Sequence, residues 1–286
     1  MISDITLGQF FPGNSPIHKL DPRTKIILAT LFIVSVFVAK NPLSFLLLTV
    51  FTFVLIPISR ISIKVVLKSV KPIVLILIFT ALINVFMTTG EGEPLLSFWI
   101  IKIYSEGIAR AVMMALRVLI LIVGSSILLT YTTSPISLTD GLESLLSPLK
   151  VIKVPVHTFA MMMSIALRFI PTLIEETEKI MNAQKSRGAD FTTGNLVKRA
   201  KALIPLLVPL FVSSFKRAEE LATAMECRCY RGDKNRTKLV KLQFCARDFV
   251  FMILFVIILG GMICLSIVPY KFESFGIVYD IMFFRV

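Results

Sequence analysis

Two arginines occupy the positions in this sequence where residue type and spacing most suggest a function. Arg187 lies in AQKSRGAD between Ser186 and Gly188, and Arg228 lies in AMECRCYRG between Cys227 and Cys229. Superposing them, at an offset of 41 residues, also pairs Glu178 with Glu219, Ile180 with Leu221 and Ala183 with Ala224. Small neighbours leave a guanidinium free to project from a helix tip into a narrow groove. There its planar fork can bind carboxylates or carbonyls. A single Arg-Gly at a helix end reads as a cap charge. Two of them, on matched helices, point to a device that docks at two sites.

Other chemistry is missing from the sequence. It has no G-x4-G-K-[ST] phosphate loop, so ATP hydrolysis is not expected of this chain. Neither G-x-S-x-G nor H-E-x-x-H occurs. Cys227, Cys229, Cys245 and Cys264 lack zinc-site spacing, and His18 and His157 stand alone, so no metal or other cofactor is expected. The mid-helix carboxylates Glu175, Glu176, Glu219 and Glu220 read as solvated groups pairing locally with Lys179, Lys216 or Arg217. Met161, Met162 and Met163 are adjacent and cannot all face one site, which favours adaptable packing over a metal path.

The elements that carry these residues belong to a membrane protein. The 286 residues are 56% hydrophobic and only 17% charged, with mean hydropathy +0.83. A soluble domain is nearer a quarter charged. The net charge of +13 reads as basic loops held on the cytoplasmic side rather than as a nucleic-acid surface, because no nucleic-acid motif accompanies it. No cleavable signal is expected in residues 1–21.

The fold class expected is an all-α integral membrane protein with about five transmembrane helices and a cytoplasmic domain of long amphipathic helices. A bilayer core needs ~20 helical residues. Residues 24–58 are too long for one span and fit two short ones, 24–39 and 43–58, turning at Lys40-Asn41-Pro42. Further spans cover 72–89, 108–131 and about 249–268. Residues 95–104 are too short to cross and read as re-entrant or interfacial. Basic residues before the first span and in the 60–71 linker place both in the cytoplasm, so five spans put the N-terminus inside. Arg117 is deep in the fourth span and must face protein or water.

The domains expected are therefore 1–131 in the membrane, 132–246 in the cytoplasm, and 247–286 as the last span and tail. The insert carries Leu142, Leu145, Leu146 and Leu149 on a stripe capped by Thr139 or Asp140. Two long helices follow, from Pro155 to Gly188 and from about Leu196 to Cys229, each apolar first and amphipathic later. Phe211, Phe215, Ala218, Ala222, Met225 and Cys229 step by four and three along a helix seam. If the apolar halves crossed the membrane instead, seven spans would result. Arg117 and Arg168 could then line the path of a self-contained secondary transporter.

The segments GQFFPGNSPIHKLDPRTK, SIALRFIPTLIEETEKIMNAQKSRGAD and AEELATAMECRCYRG resemble the transmembrane T component (EcfT family) of energy-coupling factor importers for vitamins and metals. The likeness runs over nearly the whole chain. It implies a non-catalytic subunit of a prokaryotic cell membrane that joins two ABC-type ATPases to a membrane-embedded substrate-binding S component. ATP and Mg would bind in the ATPases. Ser186, Arg187 and Gly188 would dock on one ATPase, and Cys227, Arg228 and Cys229 on the other. Phe159, Met162, Met163, Ala166, Leu206, Leu207 and Leu210 would form the platform under the S component. Arg117 and Arg168 would be structural charges. Cys229 stands where the family more often has glycine, and the position is expected to ask for a small side chain.

Overall fold

The computed structural model describes residues 10–39, 42–87, 96–98, 101–189, 191, 195–232 and 242–267. Among them the secondary structure is almost entirely helical. The Lys40-Asn41 turn, the acidic stretch at Glu91 and Glu93, and Asp190 lie outside the described residues. Contacts divide the chain into two units, Phe10–Ser134 with Leu242–Val286, and Pro135–Lys241 with Met1–Gln9.

In the first unit, α1 runs Pro22–Val38, capped by the Asp21 carboxylate on the Arg23 amide, with Pro22 at the first helical position, where a missing N–H costs nothing. Helix α2 follows over Pro42–Ser59, then α3 over Ile63–Val70, a 3-10 turn over Lys71–Ile73, and α4 over Val74–Met87. The last three run on as one apolar helix, Ile63–Met87. The helix that carries the third expected span thus begins at Ile63, well before residue 72. The basic linker is itself helical, because Ser62 starts it and the tight 3-10 turn accommodates Pro72.

Residues 95–104 contain a hairpin, β1 Leu96–Phe98 antiparallel to β2 Ile101–Ile103, with Ser97 opposite Lys102. It is the only strand pairing among the described residues, and it gives a secondary structure to the stretch expected to be re-entrant or interfacial. Helix α5 covers Ser105–Ser125 and continues as a π turn, Ser126–Thr130. Helix α9 covers Ala246–Ile267.

Helix α1 is the centre of this unit and packs on α5, the π turn and α9. Its inner face, Leu28, Ala29, Phe32 and Val36, is buried, while Val34 and Phe37 are exposed and just as apolar, so α1 carries no polar stripe. The rings Phe32, Phe51 and Phe255 follow one another across the core, with centroids 6.3 and 5.4 Å apart. The outer faces are apolar as well: Phe37, Phe53, Leu75, Phe79 and Ile257 are all more than half exposed. That inversion suits a hydrocarbon surround. Ile63–Met87, Gly107–Thr130, Val156–Ser186 and Ala246–Leu265 are long and apolar enough to cross a membrane, while Leu43–Ser59 is shorter.

The second unit begins with α6, Pro135–Leu145, followed by a 3-10 turn over Ser147–Ile152. The helix starts at Pro135, not at a Thr139 or Asp140 cap. Thr139 sits mid-helix, where its hydroxyl donates to the Pro135 carbonyl at 2.7 Å. The expected leucine stripe is mostly turned outward: Leu142, Leu146 and Leu149 are exposed and Leu145 is half-buried, while Thr139 and Glu143 are buried. Glu143 is satisfied at its buried position by His157 Nδ1 at 2.8 Å, which joins α6 to α7. Helices α7, Val156–Ser186, and α8, Leu196–Cys227, complete the unit.

Candidate functional site

The two arginine tips have the same backbone architecture. At the end of α7 the Ala189 amide donates to the Gln184 carbonyl at 3.0 Å, and the Gly188 amide to Lys185 at 2.9 Å. At the end of α8 the Tyr230 amide donates to Met225 at 3.0 Å, and the Cys229 amide to Glu226 at 2.8 Å. Each pair is a Schellman motif, in which a left-handed residue reverses the chain and satisfies the last carbonyls. The 41-residue offset therefore holds bond by bond, and in each case the arginine is the residue before the left-handed one.

This changes the reason for the small third residue. Gly188 has φ +86°, and a β-carbon built on it meets nothing within 4 Å. Cys229 has φ +58°. The constraint within this chain is backbone conformation, not packing space. A non-glycine residue pays ~1–2 kcal/mol to sit in that region. Cys229→Gly should accordingly raise stability by about 1 kcal/mol, and Gly188→Ala should lower it by a similar amount. Thermal unfolding of the purified protein tests this. Cys229→Ala is the control and should gain nothing, so an equal gain from alanine would refute the conformational argument.

The rest of the site is set by how α7 and α8 pair. Glu176 of α7 accepts a hydrogen bond from Ser213 Oγ of α8 and pairs with Arg217 Nη2 at 3.0 Å. Toward the end of α7, Gln184 Nε2 donates to the Pro205 carbonyl at 3.4 Å. That carbonyl is available because Pro209, four residues on, has no N–H to offer it. Numbers rise on one helix as they fall on the other, so the helices are antiparallel. Arg187 and Arg228 then lie on opposite sides of the contact, roughly 40 Å apart along the helix axes. Both side chains are exposed.

Glu176 and Arg217, expected to pair locally, are joined to each other across two helices. Gln184 and Ser213 complete the contact without any sign in their spacing. The usable signal was the Pro205/Pro209 pair, which announces a carbonyl in need of a donor.

Phe159, Met162, Met163 and Ala166 are exposed on α7, and Leu207 is exposed on α8. Leu210 is half-buried, and Leu206 is buried at 5% exposure, so it contributes packing rather than surface. The seam expected on α8 faces away from α7. Phe211 and Phe215 meet as tilted rings 4.6 Å apart between centroids, yet are 64% and 61% exposed. Helical spacing identifies a stripe but not what covers it; α8 meets α7 through Ser213 and Arg217.

In the first unit, Arg117 Nη2 donates to the Ala39 carbonyl at 3.1 Å, and its guanidinium lies 5.0 Å from the Phe45 ring centroid. It thereby caps α1 and stacks on α2. Arg168 is exposed in the second unit. All four cysteines are free thiols, and no cluster of three or more metal-ligating residues occurs among the described residues.

Residues 13–239 match the CbiQ family model, described as a cobalt transport protein. The chain is 55% identical to the energy-coupling factor transporter transmembrane protein EcfT of Ruminiclostridium cellulolyticum over 248 residues, covering 87% of this chain and 92% of that one. It is 50% identical to the protein of that name in Clostridium kluyveri over 267 residues, covering 93% and 97%. With its Bacillus subtilis counterpart it shares 49% over 248 residues, covering 87% and 93%.

Proposed function

Because this chain belongs to the EcfT transmembrane proteins of energy-coupling factor transporters, within the CbiQ family, we propose that its two arginine tips each dock one ABC-type ATPase. The chain is a non-catalytic, multi-pass membrane subunit of such a transporter. The observation that carries the docking reading is the duplication itself: two matched Schellman caps, each presenting an exposed arginine, at opposite ends of one antiparallel helix pair. Two similar grooves on two similar partners are what such a pair fits. Hydrolysis of ATP, with Mg, takes place in those partners.

In this reading α7 and α8 are rigid coupling helices. Their apolar residues Phe159, Met162, Met163, Ala166, Leu206, Leu207 and Leu210 form the platform for a substrate-binding S component, Leu206 contributing packing rather than surface. Arg117 is a structural anchor of the membrane helices, and Arg168 is a surface charge of the platform helix. The partition into a membrane domain, 1–131 and 247–286, and a cytoplasmic coupling domain, 132–246, is part of the same proposal.

Purification of this protein from its membrane, with identification of every partner, should recover two ATPase chains and an S component. Isolation of a substrate-transporting protein alone would refute the reading. Sidedness has its own test. Positions 190 and 233 lie outside the described residues, so Lys185 and Glu226, both exposed, are the better sites for single cysteines in a background lacking the native ones. An impermeant maleimide should label both in inside-out vesicles and neither in intact cells. Labelling in intact cells would overturn the cytoplasmic placement.

A further inference from the structure

The segment Phe10–Lys25 makes more hydrogen bonds than starting a helix requires. It first folds on itself: Ser15 Oγ and His18 Nδ1 are 2.6 Å apart, and His18 Nε2 lies 2.9 Å from the Phe11 carbonyl oxygen. A β-carbon on Gly13 would come within 3.0 Å of that imidazole. The folded segment then reaches two distant stretches of chain.

One is the end of α5. The Phe11 amide donates to the Tyr131 carbonyl at 3.1 Å. Lys25 Nζ donates to the Thr132 carbonyl at 2.8 Å and to the His18 carbonyl at 3.1 Å, and Lys25 is only 2% exposed. The other is the start of α9. The Asp21 amide donates to Asp248 Oδ1 at 2.9 Å, while Asp248 Oδ2 accepts from the Cys245 amide at 2.7 Å. Arg23 Nη2 donates to the Leu242 carbonyl at 3.3 Å, and its guanidinium lies over the Phe244 ring.

These attachment points coincide with the domain boundaries. The chain passes between the two units after Ser134 and again before Leu242. Thr132, held by Lys25, and Leu242, held by Arg23, each lie within two residues of such a crossing. An ammonium group has three donors and can hold carbonyls from separate segments at once. Just before Tyr131 the helix is wound as a π turn, closed by the Tyr131 amide on the Ser126 carbonyl at 2.9 Å. Such turns are rare and often mark functional positions.

We propose that Lys25, together with Asp21, Arg23 and Asp248, is the coupling latch of this subunit, joining the membrane helices to the two stretches of chain, at Thr132 and Leu242, that lead to and from the coupling helices. Lys25 is a positioning residue: it touches neither substrate nor nucleotide. With the latch closed, movement of α7 and α8 is delivered to α1, the π turn and α9. With it open, the linkers bend and the movement is dissipated. The inference rests on the reading of this chain as a coupling subunit.

The test uses the complete transporter in liposomes, with ATP hydrolysis and uptake of radiolabelled cobalt or vitamin, whichever the co-purified S component binds, measured on the same vesicles. Lys25→Met should assemble with the ATPases and hydrolyse ATP, while uptake per ATP falls at least about tenfold, the scale expected for losing two charge-assisted hydrogen bonds. Lys25→Arg should recover most of the ratio. Arg23→Met, which leaves Lys25 in place and cuts the link to Leu242, should lower the ratio in the same direction and serves if Lys25→Met does not accumulate. An unchanged ratio in either methionine variant, or no recovery with arginine, overturns the latch. Arg187→Ala and Arg228→Ala, assayed alongside, report on assembly. Intact assembly in both would defeat the docking reading without touching this one.

Discussion

Arg187→Ala combined with Arg228→Ala is expected to abolish stable association with the ATPases and, with it, uptake. Truncating one partner of a buried, hydrogen-bonded charge pair at an interface costs ~2–5 kcal/mol, largely because the other partner is left unsatisfied. At 1.4 kcal/mol per tenfold, each single change should weaken its contact by a factor of roughly 30 to several thousand. The two tips lie on opposite sides of the α7–α8 contact and share no neighbour among the described interactions, so their effects should be close to additive in free energy. Lysine should rescue poorly at either position, since a point charge lacks the bidentate fork. Co-purification of ATPase chains with each variant measures the effect. Full assembly with both single variants would end the docking proposal.

The single substitution expected to damage the fold most is Gly124→Ala. A β-carbon at Gly124, in α5, would sit 2.2 Å from Cε1 and Cζ of Phe32 in α1, far inside any tolerated contact. Phe32 is fully buried and has Phe51 against its ring, which in turn meets Phe255 of α9. The ring cannot give way without disturbing three helices. Overpacking a well-filled core costs ~1–3 kcal/mol and occasionally more, and this contact belongs at the upper end. Small residues are what allow helix backbones to approach closely in a membrane protein. Gly124→Ala should therefore lower the yield of folded protein and its unfolding temperature in detergent. Shortening the obstructing ring, Phe32→Leu in the Gly124→Ala background, should recover part of the loss. No recovery, or a silent Gly124→Ala, would show that α1 and α5 do not approach at this point.

The two cases differ in how much the sequence could have revealed. The arginine pair was legible because it depends on local spacing: a helix period, a terminating residue and a repeat 41 residues on. Even there the reason given for the small third residue was incomplete. A side chain's size is visible in a sequence, but a positive φ at a cysteine is not. Gly124 carried no signal, since nothing local distinguishes it from Gly260 or Gly261 of α9, where a β-carbon meets nothing within 4 Å. Only the partner helix separates them.

Composition and charge alone determined the class of protein, because a bilayer asks for long apolar helices and that requirement is one-dimensional. Hydrophobic period likewise determined that α7 and α8 exist and where they stop. Pairing is three-dimensional. Which face of α8 meets α7, why Leu142 and Leu146 point outward while Glu143 is buried, and how Lys25 comes to hold the carbonyl of Thr132 all depend on residues far apart in the chain. The antiparallel pairing of α7 and α8 belongs to that second group. It turned two similar helix ends into two separate ones, by placing their arginines on opposite sides of a single contact.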